Sequence, residues 1–147
     1  MITSGTVLKW RIDHLWPQAD VDLADNEKWI PSVTDFDRFV KYNWVRKCRY
    51  ISEIFDCDKY ALLFHATAVL YIADLVWAGV VEAKDVRPWA VGEAWGTKFR
   101  NVETNHAVNI VFLQEGLINF NMYLYEPQNG EMWIPNNLSD MVYDVRI

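Results

Sequence analysis

The chain has 147 residues, enough for one domain, and at this size about two-thirds of the unfolded surface leaves water, so a core forms without staples or metals. Its 52% hydrophobic and 23% charged composition, with 6 Gly and 5 Pro, excludes a disordered, collagen-like or low-complexity chain. A net charge of −6 argues against nucleic-acid binding, and the 15% aromatic content with 8 Trp points to a dense aromatic core or an aromatic-lined groove.

Residues Met1 to Pro17 contain no uninterrupted apolar core of a signal peptide. The apolar run from Tyr60 to Val81 is broken by His65 and Asp74, which excludes a membrane span on the sequence reading. Cys48 and Cys57 form no disulfide framework, so the expected setting is reducing and cytoplasmic. One α+β domain is expected over residues 1–147, with residues 1–30 an irregular segment. In that segment Asp13, Asp20, Asp22, Asp25 and Glu27 lie among Trp10, Trp16 and Trp29. The run Asp20 to Asp25 lacks the turn glycine and late glutamate of an EF-hand and reads as a solvated acidic loop.

A helix is predicted from an N-cap at Thr34, with Asp35 and Asp37 in its first turn and Phe36, Phe39, Val40, Trp44 and Val45 at helical spacing. The basic cluster Arg46-Lys47-Cys48-Arg49 suits its end. A second helix from Asp56 to near Gly79 is apolar almost all the way round and is expected at the centre of the domain. Strands follow at 89–99, 105–113 and 118–126, with a short one at 141–145. Helices first and antiparallel strands afterwards predict α+β, a buried central helix packed on an antiparallel sheet.

Cys57 falls in the first turn of the apolar helix, where free N–H groups and the positive dipole end favour a thiolate, although Asp56 and Asp58 oppose it. On position alone it reads equally well as a small buried hydrophobe. His65 lies eight residues along the same helix, about 12 Å from Cys57 at ~1.5 Å per residue, and reads as a satisfied core or boundary histidine. His14 has no assigned place. His106 opens a strand. With a three-residue loop at 115–117, Phe112 faces Phe120, Ile110 faces Met122, Val108 faces Leu124, and His106 faces Glu126. A slip of one residue would expose the apolar ladder; a slip of two keeps the faces and puts the acid on a diagonal. A carboxylate on one imidazole nitrogen fixes the tautomer and aims the other at a nucleophile, which is the logic of an activated thiol.

Three blocks carry a resemblance: Phe55-Asp56-Cys57-Asp58-Lys59-Tyr60-Ala61, Asn105-His106-Ala107-Val108-Asn109 and Tyr125-Glu126-Pro127-Gln128-Asn129-Gly130. In order they resemble the papain-like cysteine peptidase domain of fairy-ring mushroom agglutinin and its bacterial and phage relatives, in the transglutaminase-like clan. The resemblance implies a papain-like fold with Cys57 as nucleophile, His106 as general base and acid, and Glu126 as orienting group. It implies a hydrolase or acyl transferase acting on amide bonds of a peptide or protein substrate, with Cys57 N–H as first oxyanion donor. No cofactor is required by the residues themselves, but the resemblance implies calcium near Asp56 and Asp58. Lys59, where the family commonly has an acid, departs from that pattern, and the agglutinin's sugar-binding β-trefoil is absent. Gly92-Glu93-Ala94-Trp95-Gly96 reads as a strand with a close backbone approach, and Trp89, Trp95 and Trp133 as core or groove floor. The alternatives are a noncatalytic interaction module on the same fold and a calcium- or ligand-binding protein whose cysteine is incidental.

Overall fold

The computed structural model describes residues 1–100 and 102–147. Its elements in chain order are β1 (Ile2–Ser4), α1 (Gly5–Leu15), β2 (Asp20–Asp22), β3 (Glu27–Trp29), α2 (Val33–Tyr42), α3 (Cys57–Trp77), β4 (Val91–Phe99), β5 (His106–Glu115), β6 (Asn119–Glu126), β7 (Glu131–Trp133) and β8 (Asp140–Arg146). β5 decides how they assemble. Side chains alternate across a strand, and β5 is apolar on both sides. Val108, Ile110 and Phe112 join one core with Leu8, Ile12 and Trp16, while Val111 and Leu113 join another with Phe36, Phe39 and Phe64. The sheet is therefore covered by α1 on one face and by α2 and α3 on the other.

Six strands run in the order β2-β8-β4-β5-β6-β7, antiparallel except for the β2–β8 pair, and β1 and β3 form a separate ribbon. The α+β class is as expected, with a sheet and a long helix packed on it. Residues 1–30 are not irregular: they hold α1, β1, β2 and β3. Asp20–Asp22, read as part of a solvated acidic loop, form strand β2 against the end of β8. Ser32, two residues before the predicted cap, closes α2 by accepting the Asp35 N–H at 3.1 Å. α2 stops at Tyr42, so the basic cluster lies in a separate 3-10 turn at 45–47.

The β5–β6 hairpin turns at Gly116, whose φ of 81° favours glycine. Its register sets Ile110 opposite Leu124 and Phe112 opposite Met122, two residues from the expected pairing. The apolar faces are preserved, as an even shift requires. Gly92 lets β4 close on the chain's end, since a Cβ there would lie 2.0 Å from the Arg146 carbonyl oxygen.

α3 is less central than its composition suggests. Tyr60, Ala61, Phe64, Ala68 and Ile72 are buried against the sheet and α2, but Leu62, Val69, Leu70 and Trp77 are exposed. By length and composition alone it is long and apolar enough to cross a membrane, at a mean hydropathy of 1.5. In this fold one stripe of it lies on β4 and β5.

Candidate functional site

Cys57 is the first residue of α3, His106 the first of β5 and Glu126 the last of β6. Three element ends thus meet. The His106 Nε2 lies 2.6 Å from Glu126 Oε2, with the two side chains 14% and 12% exposed. The observed register opposes Val108, not His106, to the position of Glu126, so this pair is a diagonal one. Glu126 Oε1 also accepts the Gln128 N–H at 3.1 Å, which fixes the carboxylate.

With Nε2 committed to Glu126, Nδ1 is left for the sulfur. The Cys57 thiol is held below its ordinary value mainly by the His106 imidazole, helped by the Ala107 N–H and opposed by burial and Asp56. Burial disfavours a charged imidazole at His106, yet Cys57 and Glu126 outweigh it and push the ring up to about 9. The two shifts are coupled, each favouring the proton on nitrogen over sulfur. Chemically, the arrangement holds a nucleophile, a base and an orienting carboxylate.

Asn109 has a role that spacing along the chain does not single out. It is fully buried, and its Nδ2 donates to the carbonyls of Ala61 and Gly92 at 2.8 Å each. It therefore ties the first turns of α3 to β4 from within β5, and sets where Cys57 stands relative to His106. The one signal in the sequence is an amide inside the apolar run Val108 to Leu113. His65 is satisfied by Glu93, whose Oε1 lies 3.0 Å from its Nδ1. That pairing joins α3 to β4 and leaves His65 out of the Cys57 cluster.

Asp56 and Asp58, near which the resemblance implies calcium, are engaged by Lys59. The Lys59 ammonium lies 3.0 Å from the first carboxylate and 2.9 Å from the second. Among the described residues no three His, Cys, Asp or Glu side chains gather to hold a metal. The pair holds Asp56 below the usual carboxylate range, through Asp58 first and then Lys59.

The hollow beside His106 and Glu126, bordered by Phe99, Asn129 and Trp133, is about 100 Å³. Of the three candidate floor residues only Trp133 borders it; Trp89 is 4% exposed in the core, and Trp95 carries the Arg146 guanidinium 4.8 Å above its ring. Gly96 stands opposite His106 in the β4–β5 ladder, so the glycine segment does form a strand beside the cluster. Larger hollows lie elsewhere. Trp10, 64% exposed on α1, separates one of about 410 Å³ from another of about 590 Å³. His14 lies on the same helix, stacked on Trp10 at 5.9 Å and 22°.

No protein-family model and no curated protein matches the chain. Solved structures do. The chain is similar to the Polyporus squamosus lectin PSL1a in complex with E64, with a TM-score of 0.75 and 20% identity over 99% of this chain and 50% of that one. It is equally similar to Polyporus squamosus lectin bound to the human-type influenza-binding epitope Neu5Aca2-6Galb1-4GlcNAc, with a TM-score of 0.75 and 19% identity over 99% and 49%. The chain thus spans about half the length of these solved chains, and at such identity the likeness is one of fold. It corrects the resemblance to the papain-like cysteine peptidase domain of the mushroom agglutinin group: the fold matched is that of a lectin. The expected cysteine hydrolase or acyl transferase, its catalytic triad and its peptide or protein substrate are corrected with it, because the structures that match are lectins, one of them holding a glycan. Cys57, His106 and Glu126 meet in this fold.

Proposed function

We propose that the chain is a noncatalytic interaction module whose partner is carbohydrate. One observation carries this reading: the hollows of ligand size lie away from Cys57, two of them around Trp10 and one of about 620 Å³ along the exposed flank of α3 by Leu62 and Val69. Small-molecule sites commonly occupy about 300–1,000 Å³. The two hollows beside Trp10 reach about 410 and 590 Å³, while the one beside His106 and Glu126 is about 100 Å³. The fold shared with the lectin structures supports the choice of ligand class. A panel of immobilised glycans tests it. Binding by the wild-type chain, retained within about twofold by Cys57→Ser, is the expected result, twofold being less than ~0.5 kcal/mol. Absence of binding to every glycan, or its loss in Cys57→Ser, overturns the reading.

A second proposal rests on the ion pair. Cys57, His106 and Glu126 form a reactive-thiol site in which Glu126 holds the ring, His106 takes the proton and Cys57 is the nucleophile. Iodoacetamide or an E-64-type reagent should label Cys57 faster than Cys48 at neutral pH, since Cys57 alone has a hydrogen-bonded imidazole lowering its thiol pKa. Equal labelling of the two cysteines, or a rate untouched by His106→Ala, removes this assignment.

A further inference from the structure

We infer that the groove between Trp10, Arg11, His14 and Asn121 is a binding site for an acidic sugar, a pyranose ring bearing a carboxylate. The inference rests on the carbohydrate-module reading and goes beyond it by naming the place and the charge of the ligand.

Three observations converge on it. The first is a cation without a partner. Arg11 Nε is buried and makes no hydrogen bond, and among the described residues no carboxylate pairs with this guanidinium. Asp13, two residues along α1, is held by Lys9 at 3.0 Å. Arg11 instead rests over the Phe120 ring at 4.7 Å, which orients the guanidinium without satisfying its donors. Arg11 also borders the groove, and a guanidinium there with no acid beside it can take a carboxylate through its terminal N–H groups.

The second is the wall beside it. Trp10 and His14 are one turn apart on α1, stacked within 22° of parallel, and both border the same groove as Arg11, which gives it an aromatic side. A pyranose offers a face of C–H groups to such a surface and hydroxyls at its rim. Asn121, across the groove on β6, is anchored by a 2.7 Å bond to Glu115 and supplies a polar group opposite the wall. The third is size: about 410 Å³ accommodates one ring with its substituents. In a chain of net charge −6, an unneutralised cation in an open hollow selects for an anion.

The test uses two probes that share a ring and differ in one group: D-glucuronate and D-glucose, titrated against the full chain and followed by shifts of backbone amide resonances. Glucuronate is expected to shift residues of α1 and β6, and to bind at least about tenfold more tightly than glucose, as one charge-assisted bidentate contact allows. Arg11→Gln should abolish that preference and Arg11→Lys should keep part of it, with unchanged amide dispersion in both showing that the fold is intact. Trp10→Ala should weaken both sugars. Equal binding of the two sugars by the wild type, or shifts confined to other surfaces, overturns the groove while leaving the module reading intact. Failure of these probes together with failure of every glycan on the panel overturns both.

Discussion

The Cys57 cluster and the Trp10 groove are built from the same kinds of group and are opposite in their electrostatics. In the cluster the sulfur, imidazole and carboxylate satisfy one another: the His106–Glu126 contact is 2.6 Å, and Ala107 and Gln128 N–H groups complete the shell. In the groove Arg11 has no carboxylate partner among the described residues and its Nε makes no hydrogen bond there. A closed set of charges shifts pKa values and concentrates reactivity at one atom; an open one keeps its interaction energy for a ligand. The supports differ too, because the cluster's helix lies on the aromatic core of Phe36, Phe39 and Phe64 while α1 lies on the core of Leu8, Ile12 and Trp16 across the sheet.

That separation can be broken from either side. Phe64→Ala is expected to produce the largest effect, a loss of about 3–5 kcal/mol in denaturant unfolding, because Phe64 is 1% exposed and packs on Phe36, Phe39 and Tyr125. In the surviving folded fraction it should blunt Cys57 labelling more than it blunts groove binding. Ile12→Ala should do the reverse at about 2–5 kcal/mol, since Ile12 is fully buried under α1. Loss of both functions together in either variant would show that the two cores act as one.

Asn109→Ala comes next, at about 2–3 kcal/mol, since two buried carbonyls lose their donor. Its sharper readout is the pH profile of Cys57 alkylation. The midpoint should move toward that of an ordinary thiol as α3 loosens from β4, and a profile that stays put would reduce Asn109 to a purely structural role. Smaller again is the effect of pH on stability. His106 has its folded pKa raised from 6.5 to about 9, so its contribution is complete below 6.5 and is lost as pH rises through about 9. Cys57 is lowered from 9.0, so its contribution is complete above 9.0 and is lost as pH falls through its folded value. As pH rises from 6.5 to 9 the loss at His106 is opposed by the gain at Cys57. Wild-type melting should therefore slope less there than that of Cys57→Ser or His106→Ala. A wild-type slope as steep as that of the variants would deny the ion pair. Smallest of all, Trp10→Ala should leave stability within about 0.5 kcal/mol, because its side chain is largely in water.

Much of the cluster is legible in the sequence. Alternation on the strands at 105–113 and 118–126 selects an even register, and that parity alone puts His106 and Glu126 on one face. The hairpin loop sits one residue later than alternation predicts, because Glu115 and Ile118 are both compatible with strand or turn; Gly116, which tolerates the positive φ, decides it. Residues 1–30 depart from their sequence reading for a different reason. α1 has mixed character, with Lys9, Trp10, Asp13 and His14 toward solvent, and its helix is held by Leu8, Ile12 and Trp16 packing on strands in the second half of the chain. The centrality expected of α3 follows from its composition, which does not tell a helix covered on all sides from one with an unshielded apolar flank.

What the residues by themselves determined is the local chemistry: a cysteine at a helix head, a histidine paired with an acid by strand parity, and the α+β order of elements. Those follow from periodicities of two and 3.6 residues and from caps, which are short-range. The tertiary structure alone decided that Asn109 bridges α3 to β4, that Lys59 fills the space between Asp56 and Asp58, and that Arg11 is left without a partner. Whether a polar group is satisfied depends on what distant chain arrives beside it, and no spacing along the sequence encodes that arrival.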